Sequence, residues 1–254
     1  MRYGAAAMPS LSVVIPAYNE ALRLPPTLER VRAYLDGRGR PYEILVVDDG
    51  SSDDTVARAQ AAGGERVQVL RNGANRGKGY SVRQGMLAAR GARRLMTDAD
   101  LSTTIEELER LSARMDEGFD VVIASRALPL SRIEVHQGAF RENMGRAFNL
   151  LVRLLVLPGL RDTQCGFKLF SAAAAQAAFS PARLDGFAFD VEALFIARRS
   201  GFRVAELPVV WRNDAATRVG WWKGFVAFAD LVRIRAHGAR GDYRPPPGAA
   251  DPNT

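Results

Sequence analysis

An α/β fold built on a mostly parallel sheet follows from three features of this 254-residue chain. Short apolar runs rich in β-branched residues recur through the first half, helix-period segments separate them, and acidic residues gather where the runs end. The runs at 11–15 (LSVVI), 43–47 (EILVV), 67–70, 94–96 and 120–124 (DVVIA) each read as a strand buried on both faces. After the first of them, Pro25 and Pro26 suit an opening helical turn, Leu28, Val31 and Leu35 share one face, and Gly37 can stop the helix. Residues 53–62, 78–89 and 105–117 follow the same pattern, so βαβ units are expected over 10–125.

Beyond Ser125 the alternation becomes irregular. Within 143–157, Asn143, Arg146, Asn149 and Arg153 form a narrow polar stripe, and Met144, Phe148, Leu150, Leu151, Leu154 and Leu155 cover most of the remaining surface. Further on, Trp221, Phe225, Phe228 and Val232 share a helical face opposite Lys223 and Asp230. Amphipathic C-terminal helices are therefore expected. One domain over 1–240 with a disordered tail over 241–254, which contains Pro245 to Pro247, completes the expected organisation.

Composition narrows the chemistry. At 47% hydrophobic and 25% charged residues the chain is globular rather than disordered or fibrous. One cysteine, Cys165, excludes a disulfide framework and a multi-thiolate zinc site, and it reads as a packing residue. His136 and His237 lie too far apart for a short metal motif, so any metal is expected on carboxylates. No run approaches the roughly 18 apolar residues of a membrane span, and the first ten residues hold no signal-peptide core. A cytoplasmic setting is the expectation. The net charge of +7 is uneven: residues 126–161 carry +4, residues 203–244 another +4, and the rest −1. An anionic partner met mainly by the second half is expected.

Ligands of open parallel sheets bind beyond the carboxyl ends of the strands. There the sequence places Pro16, Tyr18, Asn19 and Glu20, then Asp48, Asp49, Gly50, Ser51, Ser52 and Asp53, then Asp98-Ala99-Asp100. Clustered carboxylates repel one another unless they bind a cation or accept hydrogen bonds. Asp98 and Asp100 can approach one hard divalent ion, Mg²⁺ or Mn²⁺, that bridges to phosphate oxygens. The plainer alternative makes Asp100, or one of Ser102, Thr103 and Thr104, a helix cap. Asn75-Arg76-Gly77-Lys78-Gly79 opens a helix, where backbone amides flanked by Arg76 and Lys78 could hold a diphosphate. Neither a Walker loop nor a Gly-x-Gly-x-x-Gly fingerprint is present, which disfavours P-loop and dinucleotide redox chemistry.

These motifs, in this order, resemble the landmarks of family 2 glycosyltransferases, which have the GT-A fold. Asp162-Thr163-Gln164-Cys165-Gly166-Phe167-Lys168, Phe189-Asp190-Val191-Glu192 and Glu206-Leu207-Pro208-Val209-Val210-Trp211 are similar to the branch that makes polyprenyl-phosphate sugars, dolichyl-phosphate β-glucosyltransferases in particular. The resemblance implies inverting transfer of a hexose, glucose above all, from a nucleotide-diphosphate sugar such as UDP-glucose to a polyprenyl phosphate. It divides the domain into a donor half near 10–125 and an acceptor half near 126–240. By motif, Pro16, Tyr18, Glu20, Asp48, Asp49 and Arg76 would line the nucleoside pocket, with Lys78 on the donor. Asp98 and Asp100 would flank metal and diphosphate. Arg126, after Ser125, and Lys168, in a Gly166-Phe167-Lys168 turn, would put cations near the acceptor phosphate.

A lipid phosphate already carries its attacking oxyanion, so orientation and leaving-group stabilisation would dominate. A hydroxyl acceptor would need a base, for which Asp190 is the candidate; alternatively Asp190 and Glu192 simply begin a helix. The apolar 144–157 segment and Trp221, Trp222 and Lys223 fit either an ordinary core or a helix lying in the cytoplasmic face of a membrane. The rival functions are a family 2 enzyme using GDP-mannose or a hydroxyl acceptor, a sugar nucleotidyltransferase, and nucleic-acid binding. The glycine-free acidic loop at Pro16 to Glu20 disfavours the nucleotidyltransferase, and no nucleic-acid partner is expected.

Overall fold

The computed structural model describes residues 8–135, 139–212 and 222–243; for 139–142 and 222–227 it describes the backbone alone. His136, Asn213, Thr217, Arg218 and Trp221, and the side chains of Trp222, Lys223 and Phe225, lie outside the described set.

The first half alternates as its apolar pattern requires: β1 (Leu11–Ala17), α1 (Leu24–Gly37), β2 (Tyr42–Asp48), α2 (Thr55–Gly63), β3 (Val67–Arg71), α3 (Lys78–Ala88), β4 (Arg93–Thr97), α4 (Leu108–Asp116) and β5 (Val121–Ser125). All five strands read from the sequence are present, and the helix expected from 105 opens as a 3₁₀ turn, Ile105–Glu107, before α4. The second half adds β6 (Arg132–Val135), α5 (Ala139–Leu155), β7 (Phe167–Ser171), α6 (Ala172–Phe179), α7 (Phe189–Arg199), β8 (Val204–Pro208), β9 (Val210–Arg212) and α8 (Trp222–Arg240).

Seven strands form one sheet in the order β3-β2-β1-β4-β7-β5-β8, and β6 pairs with β9 beside it. Only β7 runs against its neighbours in the large sheet, pairing antiparallel with β4 and β5. Strand periodicity explains the two cores. Val13 and Ile15 of β1, with Ile44 and Val46 of β2, face one layer that holds Leu24, Leu28 and Val31 of α1 and Leu108 and Leu111 of α4. Val14, Leu45 and Val47 face the other layer, which takes in Met86 of α3, Phe148 and Val152 of α5 and much of α7. Burial on both faces is why β1 and β2 read as continuous apolar runs; the 67–70 run, expected to be buried on both faces, is instead the edge strand β3, with Gln68 and Arg71 exposed.

Two more expectations change here. Gly166-Phe167-Lys168 was expected as a turn; Phe167 instead begins β7, with Phe167 and Leu169 facing one core and Phe170 the other. The tail was expected to begin at Gly241, yet Tyr243 is buried and bonded to Glu192, so the folded part extends past α8. A phenol that can fill a gap and donate a hydrogen bond has reason to dock.

Candidate active site

The chain leaves β1, crosses to β2 and β3 on one side, and returns to β4 on the other, so the sheet's topological switch lies between β1 and β4. A cleft of about 910 Å³ opens there. Pro16, Tyr18, Glu20, Asp49, Arg76, Lys78, Asp98 and Asp100 all line it. Asp48 does not: it is buried, and its carboxylate accepts a hydrogen bond from the Ser51 amide at 3.2 Å, which shapes the loop after β2.

Asp49 has a similar task on a larger scale. Its carboxylate accepts from the backbone amides of Arg76 and Gly77, each at 2.9 Å, and from Asn72 Nδ2 at 2.9 Å. Those two amides, expected to cradle a diphosphate, are therefore already engaged. What the loop offers the cleft is side chains. Arg76 stacks over the Tyr80 ring, 4.3 Å from its centre, and Lys78 reaches Asp98. Gly50 permits this assembly, because its φ is +76° and a Cβ there would lie 2.6 Å from the Ala74 carbonyl carbon.

Past β4, Lys78 Nζ sits 2.6 Å from Asp98 Oδ1. Burial would strip the Lys78 proton, but Asp98, Asp190 and Asp100 outweigh it and raise the pKa. The Asp100 carboxyl is pushed upward by burial and by the charge of Asp98. It also accepts from the Ser102 amide at 3.0 Å, so it shapes its own loop while facing the cleft. The like charge of Asp98 beside Asp100 favours a cation between them. Among the described residues no group of three or more carboxylate, histidine or cysteine side chains could hold an ion. A metal on Asp98 and Asp100 would thus take its other ligands from phosphate and water, as suits Mg²⁺ or Mn²⁺, and the donor set fits.

Lys168 and Asp190 lie beneath this rim rather than on it. Lys168 Nζ is 2.5 Å from Asp190 Oδ1 and 2.6 Å from the Cys165 carbonyl, and both side chains are buried. Burial raises the Asp190 carboxyl while Lys168 and Lys78 pull it down. Arg126 is likewise committed: its Nε, Nη2 and backbone amide converge on Asp162 at 2.6, 2.9 and 3.0 Å. Arg212 pairs with Glu134 and Arg233 with Asp230. Of the cations expected to meet an anionic partner, Arg126, Lys168, Arg212 and Arg233 are thus paired within the fold. Burial lifts the Cys165 thiol to about 11, which leaves it inert, as its packing role requires.

Sequence reasoning missed the far wall, built from Asp185, Gly186 and Phe187, and Asp230 of α8. Nothing local marks these residues; the 185–187 segment is held at the cleft by the Gly79 amide, which donates to the Asp185 carbonyl at 2.8 Å. Asp162 opens the Asp162–Lys168 motif, and its place shortly before the cation-bearing strand β7 is the available clue.

The family model of glycosyl transferase family 2 matches residues 12–177. The chain belongs to glycosyl transferase family 2. This family 2 glycosyltransferase is 36% identical over 250 residues to human dolichyl-phosphate beta-glucosyltransferase, covering 92% of this chain and 77% of that one. It is 37% identical over 242 residues to the Drosophila melanogaster protein of the same name, covering 88% and 74%. Among solved structures, mannosyl-3-phosphoglycerate synthase from Rubrobacter xylanophilus matches with a TM-score of 0.68 at 20% identity, over 97% of this chain and 80% of that one. Glucosyl-3-phosphoglycerate synthase from Mycobacterium tuberculosis, in complex with Mn²⁺, UDP-glucose and phosphoglyceric acid, matches at 0.65 and 19%, over 90% and 80%. The fold of this family 2 enzyme is therefore GT-A.

Proposed function

We propose that the enzyme transfers glucose, with inversion, from UDP-glucose to a polyprenyl phosphate of the dolichyl type. The observation that carries this is the pairing of similarity over 92% and 88% of the chain to two enzymes named for that reaction with the cleft at the β1/β4 switch. Pro16, Tyr18, Glu20 and Arg76 would hold the nucleoside, and Asp49 fixes the Arg76 loop that they share with Lys78. Asp98 and Asp100 would hold a divalent cation, which supplies charge neutralisation for the departing diphosphate. Lys78, already on Asp98, would turn its ammonium toward the same oxygens.

A second cleft of about 660 Å³ meets the first at Leu22, Arg23 and Asp100, with Arg30 and Arg212 on its walls. It offers an acceptor phosphate a route to the anomeric carbon. The phosphate oxyanion attacks without a base, and the burial of Asp190 against Lys168 favours that route over a hydroxyl acceptor. Arg126 and Lys168 would then support the site through Asp162 and Asp190 rather than bind the acceptor themselves.

Among the described residues no helix is long and apolar enough to cross a membrane. Leu150, Leu154 and Leu155 of α5 and Val232 of α8 are exposed, with Arg153 and Arg233 beside them. This face would rest on the bilayer that carries the acceptor. To test the function, the purified enzyme is given UDP-glucose or GDP-mannose, Mg²⁺ or Mn²⁺ and a short polyprenyl phosphate in vesicles. Metal-dependent glucosyl lipid, followed by mass spectrometry, is the expected product. Mannosyl lipid would change the donor, and glucosylation of an added alcohol alone would change the acceptor.

A further inference from the structure

Glu192 is a fully buried carboxylate that the transfer reaction does not use. It lies in the first turn of α7, yet its side chain makes no cap within its own helix. Glu192 Oε2 instead accepts from the backbone amides of Arg183 at 3.0 Å and Leu184 at 2.8 Å. Its other oxygen, Oε1, accepts from the Tyr243 hydroxyl at 2.8 Å. Tyr243 stands just past the end of α8, with its ring edge-on to Phe195 at 6.1 Å and beside His237 at 5.9 Å. His237 Nδ1 in turn contacts Asp242 at 2.7 Å, which pins the turn that presents the tyrosine. α8 has little freedom to shift against α7, because a Cβ on Gly238 would fall 2.7 Å from Phe195 Cε1.

The backbone that Glu192 holds runs directly into Asp185, Gly186 and Phe187, the far wall of the donor cleft. The same loop is held from α3, where Arg83 donates to the Ala182 carbonyl at 3.1 Å and to Asp185 at 2.7 Å. Its contact with the Lys78 loop is tight, since a Cβ on Gly77 would lie 2.3 Å from the Asp185 carbonyl oxygen. A displacement of residues 183–187 would therefore reach the loop that carries Arg76 and Lys78.

We infer that Glu192 and Tyr243 are positioning residues that tie the C-terminal turn to the 183–187 loop and so hold the donor cleft in its nucleotide-binding shape. That the cleft takes a nucleotide rests on the function proposed above; the tether itself does not. Chemistry at the transferred sugar is untouched by these residues, so their loss is expected in donor affinity and not in the rate of the bound complex.

The test compares Glu192→Ala, Glu192→Gln and Tyr243→Phe in the full chain. Two readouts are taken: amide hydrogen exchange of the 183–187 peptide without ligand, and UDP binding with Mn²⁺ by calorimetry. Glutamine can still accept from both amides and meet the tyrosine hydroxyl, so Glu192→Gln should match the parent. Glu192→Ala should speed exchange at 183–187 and weaken UDP roughly tenfold, and Tyr243→Phe should do both by about threefold. In transfer assays the donor KM should rise with kcat nearly unchanged. Tyr243→Phe removes only a hydroxyl and serves where Glu192→Ala fails to fold. Unchanged exchange in both variants overturns the tether. Faster exchange with UDP affinity equal to the parent overturns its role in the donor cleft. Faster exchange in variants of a parent that itself binds no UDP keeps the tether and removes the nucleotide reading.

Discussion

Lys78 Nζ lies 2.6 Å from Asp98 Oδ1, so the carboxylate assigned to a divalent cation already carries a counter-charge from its own chain. The two cations compete for one oxygen. Lys78→Met should therefore tighten Mn²⁺ binding in the absence of nucleotide, because Asp98 and Asp100 are left facing each other uncompensated. The same variant should lose about a hundredfold in transfer, because the ammonium no longer reaches the leaving diphosphate. Calorimetric Mn²⁺ titration and initial rates check the two halves; weaker Mn²⁺ binding in the variant would mean that Lys78 holds the site together instead of competing for it.

The buried Lys168 and Asp190 pair separates two mechanisms. Asp190→Asn leaves an ammonium buried without its partner and should cost about 3 to 5 kcal/mol in urea unfolding. The double variant Lys168→Met with Asp190→Leu removes both charges and should recover most of that stability. If phosphate attack needs no base, the double variant keeps transfer to a polyprenyl phosphate within about tenfold. A folded double variant without activity would return Asp190 to the role of base.

The first half of the fold was legible because β1, β2, β4 and β5 are buried on both faces and read as apolar runs such as Val13, Val14 and Ile15, while the edge strand β3 still alternates Val67, Gln68 and Val69. Their carboxyl ends were legible for the same reason, which is why Asp98, Asp100 and Asp49 were found. β7 was not: Lys168 is the second residue of a five-residue strand, and a buried lysine breaks an apolar pattern unless its partner Asp190, 22 residues away, is known. The engagement of the Arg76 and Gly77 amides was equally invisible, since Asp49 lies 27 residues from Arg76 and a carboxylate in a loop reads the same whether it faces ligand or backbone. The far wall at Asp185 depends on a contact made by backbone carbonyl, which no side-chain motif records.

Gly166 should be irreplaceable for function and less so for folding. A Cβ there would fall 1.9 Å from Asp98 Oδ2, and the Asp98 amide also donates to the Gly166 carbonyl at 3.1 Å. Alanine can be accommodated only if the Asp98 carboxylate turns away, toward an open cleft. Gly166→Ala is expected to unfold within a few degrees of the parent, to lose Mn²⁺ affinity and to lose at least tenfold in transfer. A loss of folding with no change in metal affinity per folded molecule would place the strain elsewhere.

Acid stability should report on Asp162. Burial would raise its carboxyl, but the Arg126 guanidinium and the amides of Arg126 and Gln164 lower it from 3.8 to about 2. The folded pKa lies below the unfolded one, so between the two values the unfolded chain binds the extra proton and stability falls as pH falls. The contribution is complete above about pH 4, is lost as pH drops through about 2, and amounts to about 2 kcal/mol. Arg126 stays charged throughout, since the same pair raises its pKa. Urea midpoints measured from pH 5 to pH 2 should therefore decline steeply in the parent, with Asp162 taking up one of the protons. Asp162→Asn should start several kcal/mol lower at neutral pH, with Arg126 deprived of its partner, and should decline less between pH 4 and 2. A variant whose acid slope equals that of the parent would assign the proton uptake to other carboxylates, with Glu43 and its Arg90 partner as the next pair to remove.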